Sequence, residues 1–228
     1  MEQSKKSGNS TSTTVILLLL ACLLITVLLG YRQSITTKAL KKSNKANLEM
    51  VEKITASETA INIRMSAEKE LRKGLTRVIM DFQPKLDRQI AEKIVHYIFE
   101  EAPRNGIDPI LIAALIWVES RFDPFAKSNK GAIGLMQIRY KIWKKEPALL
   151  ENGARKEGSL YWIDINIKSG VAIFFEYYEH AELNVIKTLY RYNTGSTKLP
   201  KGKRYYEIPY VNKVLISAYK IRSALAGR

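Results

Sequence analysis

The sequence predicts a mainly α-helical protein, with one compact helical domain set behind an apolar helix of membrane-spanning character and a helical stalk. Three observations predict it. Val15 to Leu29 is apolar except for Thr26. A polar stretch from about Ala39 to Gln83 is rich in Glu, Lys, Leu and Ala, which favour helix. Beyond Pro84, apolar residues recur at helical spacing over Leu86 to Glu101, Ile165 to Glu182, Val185 to Tyr192 and Val211 to Ala226. The expected divisions are residues 1–14 as a short cytoplasmic segment, 15–31 as a transmembrane signal-anchor, 32–83 as a basic juxtamembrane segment and stalk, and 84–228 as the domain.

The apolar run is short beside the roughly 20 residues that span a bilayer comfortably, and it overlaps the length of signal-peptide cores. Leu28-Leu29-Gly30 does not supply the small-x-small pattern of a cleavage site, which favours an uncleaved anchor. Leu19-Leu20-Ala21-Cys22 resembles a bacterial lipoprotein cleavage box. The apolar run continues for seven positions past Cys22, however, where such a box leads into polar chain. Cys22 is the only cysteine, so no intrachain disulfide is possible. In the stalk a heptad through Val51, Ile54, Ile61, Met65, Leu75 and Ile79 is interrupted by Glu58, Glu68 and Arg72. A solvated spacer ending near Pro84 fits that pattern better than a coiled coil.

The final stretch of about 145 residues is long enough for one domain with its own core. Its most informative element is an unbroken apolar run, Ile110 to Val118, followed at once by Glu119. Asp108-Pro109 marks a helix start, with Asp as N-cap and Pro at the first helical position, and Asp123-Pro124 marks a stop. The predicted helix runs from about Pro109 to about Ser120. A helix apolar on all sides is buried, so a glutamate in its last turn stands at the edge of a low-dielectric wall and at the negative end of the macrodipole. Both effects raise a carboxyl pKa. A glutamic acid protonated near neutral pH can give its proton to a leaving glycosidic oxygen. Taken alone, a helix-terminal glutamate is more often simply exposed. Nine residues later Ser128 opens a turn-rich segment to Ile138, in which Gly131 and Gly134 suit positive φ and close approach of a ligand. A second turn-rich segment, Thr194 to Lys203, would flank the same groove. His96 and His180 lie in separate helices without ligand-spaced partners, so no metal site is expected.

Several of these segments form a pattern. Gly106-Ile-Asp-Pro109, Glu119-Ser120, Phe122-Asp-Pro124, Ser128, Gly131-Ala132 and Gly134-Leu-Met-Gln-Ile138 occur in order. They are followed by Tyr192-Asn193-Thr-Gly195, then Tyr210-Val211 and Lys213-Val-Leu215. Together they resemble the signature of the lytic transglycosylases of the soluble, goose-lysozyme-related type, over about residues 86–224. The resemblance implies a lysozyme-like α+β domain with a deep saccharide groove and no cofactor. It implies Glu119 as general acid and then general base, Ser128, Met136 and Gln137 lining the groove, and Tyr192 and Asn193 orienting the glutamate and the adjacent sugar. From its residue type alone, Met136 fits a core position or a groove wall equally well. The implied reaction breaks the β-1,4 bond between N-acetylmuramic acid and N-acetylglucosamine and closes a 1,6-anhydro ring on the muramyl product. The sugar's own 6-hydroxyl attacks, so the second carboxyl of an ordinary glycosidase is not required. Asp123 lies too near the helix end to supply one, and Asp164 reads as the N-cap of a following helix.

The chain departs from the family at three places. Arg139-Tyr140 stands where many members have methionine and proline, Arg191 replaces the alanine before Tyr-Asn, and Tyr206 replaces an acidic residue four positions before Tyr210. Arg139 reads as a solvated surface arginine, with pairing to an acidic peptide stem or a muramyl carboxylate as the alternative. The chain carries a formal net charge of +15, and residues 84–228 hold 24 basic and 15 acidic residues. That balance suits a carboxylate-rich cell wall, a nucleic acid or an acidic membrane surface. No nucleic-acid-reading motif accompanies it, so peptidoglycan glycan strands are the expected partner, with the membrane engaged through the N-terminal helix. Arg32, Lys38, Lys41, Lys42 and Lys45 outnumber Lys5 and Lys6, a bias that would hold the domain in the cytoplasm. Peptidoglycan lies outside the inner membrane, and a long domain can translocate against the bias, so a single-pass inner-membrane protein with its domain facing the wall is expected. Domains of this kind also serve secretion, conjugation and phage assemblies. A lysozyme-type hydrolase and a non-catalytic wall-binding protein are the alternatives.

Overall fold

A computed structural model describes residues 8–227. The chain divides into two compact units, residues 1–65 and 66–228. In the first, helix α1 (Gly8–Phe82) begins, and every side chain from Thr14 to Met65 is exposed. This helix is long and apolar enough, by length and composition, to cross a membrane, with a mean hydropathy of 2.7 in its apolar window. Thr26, the one polar side chain in the run, donates to the Leu23 carbonyl at 2.8 Å, so its hydroxyl needs no outside partner. Lys5 and Lys6, which bear on orientation, lie outside the described residues, as does the side chain of Tyr206.

The second unit starts before Pro84. The last turns of α1 present Leu75, Val78 and Ile79 at helical spacing, and all three are buried in the core. A spacer solvated along its whole length to residue 83 therefore does not describe these turns. Arg72, which breaks the heptad, pairs with Glu68 at 2.7 Å and Glu100 at 3.5 Å, and its guanidinium lies 4.7 Å from the Phe99 ring centre. It ties the end of α1 to α2 (Arg88–Arg104). Asp87 caps α2 by accepting from the Gln89 and Ile90 amides, and the helix buries Ala91, Ile94, Val95, Ile98, Phe99 and Ala102 on one stripe.

Helix α3 (Pro109–Ser120) begins and ends where the Asp-Pro signals place it. Asp108 accepts from the Ile110 amide at 2.8 Å, and its other oxygen pairs with Arg222 of α8 (Pro209–Ala226). Ile110 to Ile116 are all buried, between α2 and α8. A two-stranded hairpin follows, β1 (Ala132–Ile133) against β2 (Ile138–Arg139), antiparallel with Ile133 opposite Ile138. Short helices α4 (Tyr140–Trp143) and α5 (Pro147–Leu150) and a 3-10 turn at Glu157–Tyr161 lead to α6 (Ile163–His180). Sequence periodicity did not reveal α4 and α5, because one turn of helix is too short to show a period. Helix α7 (Val185–Thr194) runs through the Tyr-Asn segment and ends at Gly195, whose φ is 69°. Asp164 is not an N-cap: α6 starts one residue earlier, after Trp162, and places Asp164 in its first turn, where its charge still faces the positive helix end.

Candidate active site

Glu119 stands where α3 stops. Arg121 and Phe122 take left-handed backbone conformations, with φ of 57° and 61°, and the Phe122 ring is fully buried. This sharp reversal leaves the last turn of α3 facing a cleft of about 710 Å³, lined by Trp117, Asn193, Tyr210, Lys213 and Lys220 among others. Burial pushes the Glu119 carboxyl up to about 7, against an opposing hydrogen bond from Tyr210. The Tyr210 hydroxyl donates to Glu119 Oε1. Burial first, and then the nearby Glu119 charge, hold the hydroxyls of Tyr192 and Tyr210 well above the usual tyrosine range, so both remain donors at neutral pH. The wall beneath is aromatic: Trp117 meets Phe82 at 5.1 Å and Phe122 at 5.7 Å between ring centres, and Arg121 lies over Trp117 at 4.2 Å.

A second lobe of about 290 Å³ is lined by Gln137, Arg139, Trp143, Tyr177, Tyr192 and Asn193 among others. Asn193 lines both lobes, so they meet at its exposed side chain. The hairpin forms this second lobe through a web of short hydrogen bonds. Gln137, at φ 50°, turns its Nε2 back to the Ala126 and Gly134 carbonyls at 3.2 and 3.0 Å. Tyr192 donates to the Met136 carbonyl at 2.9 Å and packs its ring 5.9 Å from Phe174. Asn166 of α6 is buried and fully paired. It accepts from the Met136 amide at 2.8 Å and donates to the Ile133 and Leu160 carbonyls at 3.0 and 2.7 Å. Gly134, with φ of 75°, leaves room for that amide: a Cβ there would run into the Asn166 side chain and the Leu160 carbonyl.

The six residues singled out by sequence are thus distributed unevenly. Glu119 and Asn193 line one lobe, and Gln137, Tyr192 and Asn193 the other. Met136 is fully buried, with its sulfur against Gly170, so its side chain belongs to the core and only its backbone serves the hairpin. Ser128 lines neither lobe. Its hydroxyl accepts from the Lys130 and Ala132 amides at 3.3 and 3.0 Å and shapes the turn that opens the hairpin. Two residues escaped the sequence reading as site residues. Tyr210 lay within the Tyr-Val segment, and Asn166 within the segment around Asp164, but neither pairing is local in sequence. Among the described residues, no group of three His, Cys, Asp or Glu side chains is placed to hold a metal ion.

Comparison with known proteins matches residues 96–210 to the family described as the Transglycosylase SLT domain. A membrane-bound lytic murein transglycosylase F from Desulfosudis oleivorans is 33% identical over 100 residues, which are 41% of this chain and 20% of the relative. A membrane-bound lytic murein transglycosylase C from Yersinia pestis is 33% identical over 89 residues, 38% of this chain and 25% of the relative. The chain therefore spans only about a fifth to a quarter of the length of these curated relatives. Among solved structures, the X-ray structure of an inactive glutamate-to-glutamine mutant of the lytic transglycosylase Slt from Pseudomonas aeruginosa matches with a TM-score of 0.50 at 24% identity. That match covers 57% of this chain and 24% of the other, and it bears on the lysozyme-like fold.

Proposed function

This chain belongs to the Transglycosylase SLT domain family, and from that premise we propose that it is a peptidoglycan lytic transglycosylase in which Glu119 is the acid and then the base. The observation that carries the reading is that Glu119 is the only carboxylate among the described residues lining either lobe of the cleft. Hydrolases of the retaining or inverting kind need two carboxyls across the scissile bond. Asp123 is occupied instead in a turn, accepting from the Phe125 amide at 2.9 Å, and Asp164 lies in the first turn of α6.

In the proposed reaction, Tyr210 holds Oε1 and leaves the acidic proton on the other carboxyl oxygen, directed at the glycosidic oxygen. Transfer of that proton breaks the C1–O4 bond of the muramyl residue and releases the 4-hydroxyl of N-acetylglucosamine. The Glu119 carboxylate then takes the proton of the muramyl 6-hydroxyl as O6 bonds to C1. The ring closes as a 1,6-anhydro product, no water is consumed, and Glu119 ends protonated. Asn193, at the junction of the lobes, would orient the sugar beside the acid, while Gln137 and Tyr192 would support the sugar through the hairpin. The lysozyme-like match supports this reading, and the relatives carry the same activity in their names. A single inner-membrane anchor near the N-terminus, with the domain facing the wall, completes the proposal and rests on the apolar part of α1.

The test is mass spectrometry of muropeptides released from purified peptidoglycan by the full chain in detergent micelles. Products one water lighter than hydrolysed muropeptides, absent with Glu119→Gln, are expected. Reducing ends would make the protein a hydrolase, and undiminished turnover by Glu119→Gln would remove Glu119 from the chemistry.

A further inference from the structure

Two of the three departures from the family pattern introduce arginines, at 139 and 191; the first lines the second lobe, and the second lies over Tyr177, which lines it too. Arg139, at the end of β2, is exposed and lines the second lobe beside Gln137 and Asn193. Arg191 lies over the ring of Tyr177 at 4.4 Å, and Tyr177 lines that same lobe and packs 5.6 Å from Trp143. Burial pushes the Tyr177 hydroxyl up, the Arg191 charge pulls it down, and the Glu176 charge adds a smaller push up. Among the described residues, no Asp or Glu lines the lobe. The Arg139 guanidinium makes no hydrogen bond or ion pair among the described residues. Arg191 also borders a shallow hollow that includes Glu182, but the Glu182 carboxylate is turned to Lys187 Nζ at 4.0 Å.

A guanidinium left without a counter-ion beside a saccharide cleft has five donors in a planar fork, a geometry suited to a carboxylate. Elsewhere the unit pairs some exposed arginines with carboxylates, Arg88 with Glu92 and Arg104 with Glu100 and Glu101. Others, such as Arg77 and Arg155, make no ion pair with a carboxylate among the described residues, so what distinguishes Arg139 is its place in the lobe. We infer that Arg139 determines substrate specificity by receiving a free carboxylate of the peptide stem on the glycan bound next to Glu119. Arg191, behind Tyr177, is a positioning residue that adds positive potential to that wall. The enzyme would thereby favour peptidoglycan whose stem carboxylates are ionised over the same polymer with those groups amidated. This inference rests on the transglycosylase reading for its substrate, and its test separates the two.

The test is fluorescence anisotropy of a labelled disaccharide-peptide muropeptide on the full chain in detergent micelles, with free and with amidated stem carboxylates. Cleavage of the two corresponding polymers is followed separately. The native chain should bind the free-carboxylate form about tenfold more tightly, the size of one charge-assisted hydrogen bond in a partly exposed site. Arg139→Gln should erase the preference, Arg139→Lys should restore part of it, and Lys85→Gln, an exposed charge outside the cleft, should leave it intact. In cleavage, Arg139→Gln should raise KM for the free-carboxylate polymer and leave kcat unchanged. Equal affinity of the native chain for both muropeptides would overturn the inference even where anhydro products form. A preference that Arg139→Gln leaves untouched would overturn it as well. Discrimination lost in Arg139→Gln without any anhydro product would uphold it and overturn the transglycosylase reading.

Discussion

Glu119→Gln should make the protein more stable at pH 8 and leave its stability nearly unchanged at pH 4. The reason lies in the two titration points of one carboxyl. Burial lifts it in the folded cleft from 4.5 to about 7, while in the unfolded chain it returns to its ordinary value. Between those values the folded state holds a proton that the unfolded state has lost, so stability falls as the pH rises through that window. Below it, both states are protonated and the cleft exacts no cost. Above it, the full cost of charging a buried carboxyl is present, about 3 kcal/mol at about 1.4 kcal/mol per pKa unit. Glutamine keeps the shape, can still accept from Tyr210 through its amide oxygen, and carries no charge. For a unit of this size the gain corresponds to a rise in Tm of roughly 6 to 12 °C. Tryptophan fluorescence is the suitable probe, because Trp117, Trp143 and Trp162 all lie in the unit of residues 66–228. Melting curves of the full chain in micelles at the two pH values would supply the comparison. A Tm difference between variant and native that is the same at both, or that reverses sign at pH 8, would show that the cleft does not disfavour the charged glutamate.

Tyr210→Phe removes the one contact that opposes burial at Glu119, so the carboxyl should titrate higher still. The alkaline limb of the kcat profile for anhydromuropeptide release should move up by about one pH unit with a lower maximum rate, and an unmoved or downward-shifted limb would exclude the hydrogen bond from the working enzyme. Asn166→Ala leaves the Met136 amide and the Ile133 and Leu160 carbonyls without their buried partner. It should cost about 3 kcal/mol or more in denaturant unfolding followed by tryptophan fluorescence, and a loss under about 1 kcal/mol would mean that the hairpin is held by other contacts.

The sequence alone determined the features that depend on neighbours along the chain. Asp108-Pro109 and Asp123-Pro124 bounded α3 because capping and proline sterics act within a turn, and that placed Glu119 in the last turn of a buried helix. Gly131 and Gly134 were legible for the same reason, since positive φ is a local demand that glycine meets. Only the tertiary structure decided what lay across the groove. Tyr210 reaches Glu119 from 91 positions away, and Asn166 reaches the Met136 amide from 30 away. Met136 could have faced the groove or the core, and the close approach of Gly170 put it in the core. The last turns of α1 carry Leu75, Val78, Ile79, Met80 and Phe82 among charged residues, and whether these formed a solvated spacer or a packed edge depended on the core that the rest of the unit supplies, with Phe99 and Glu100 of α2 meeting Arg72. Periodicity and capping signals report which face a segment can bury. Which distant side chain meets it there is set by the packing of helices that the local signals do not describe.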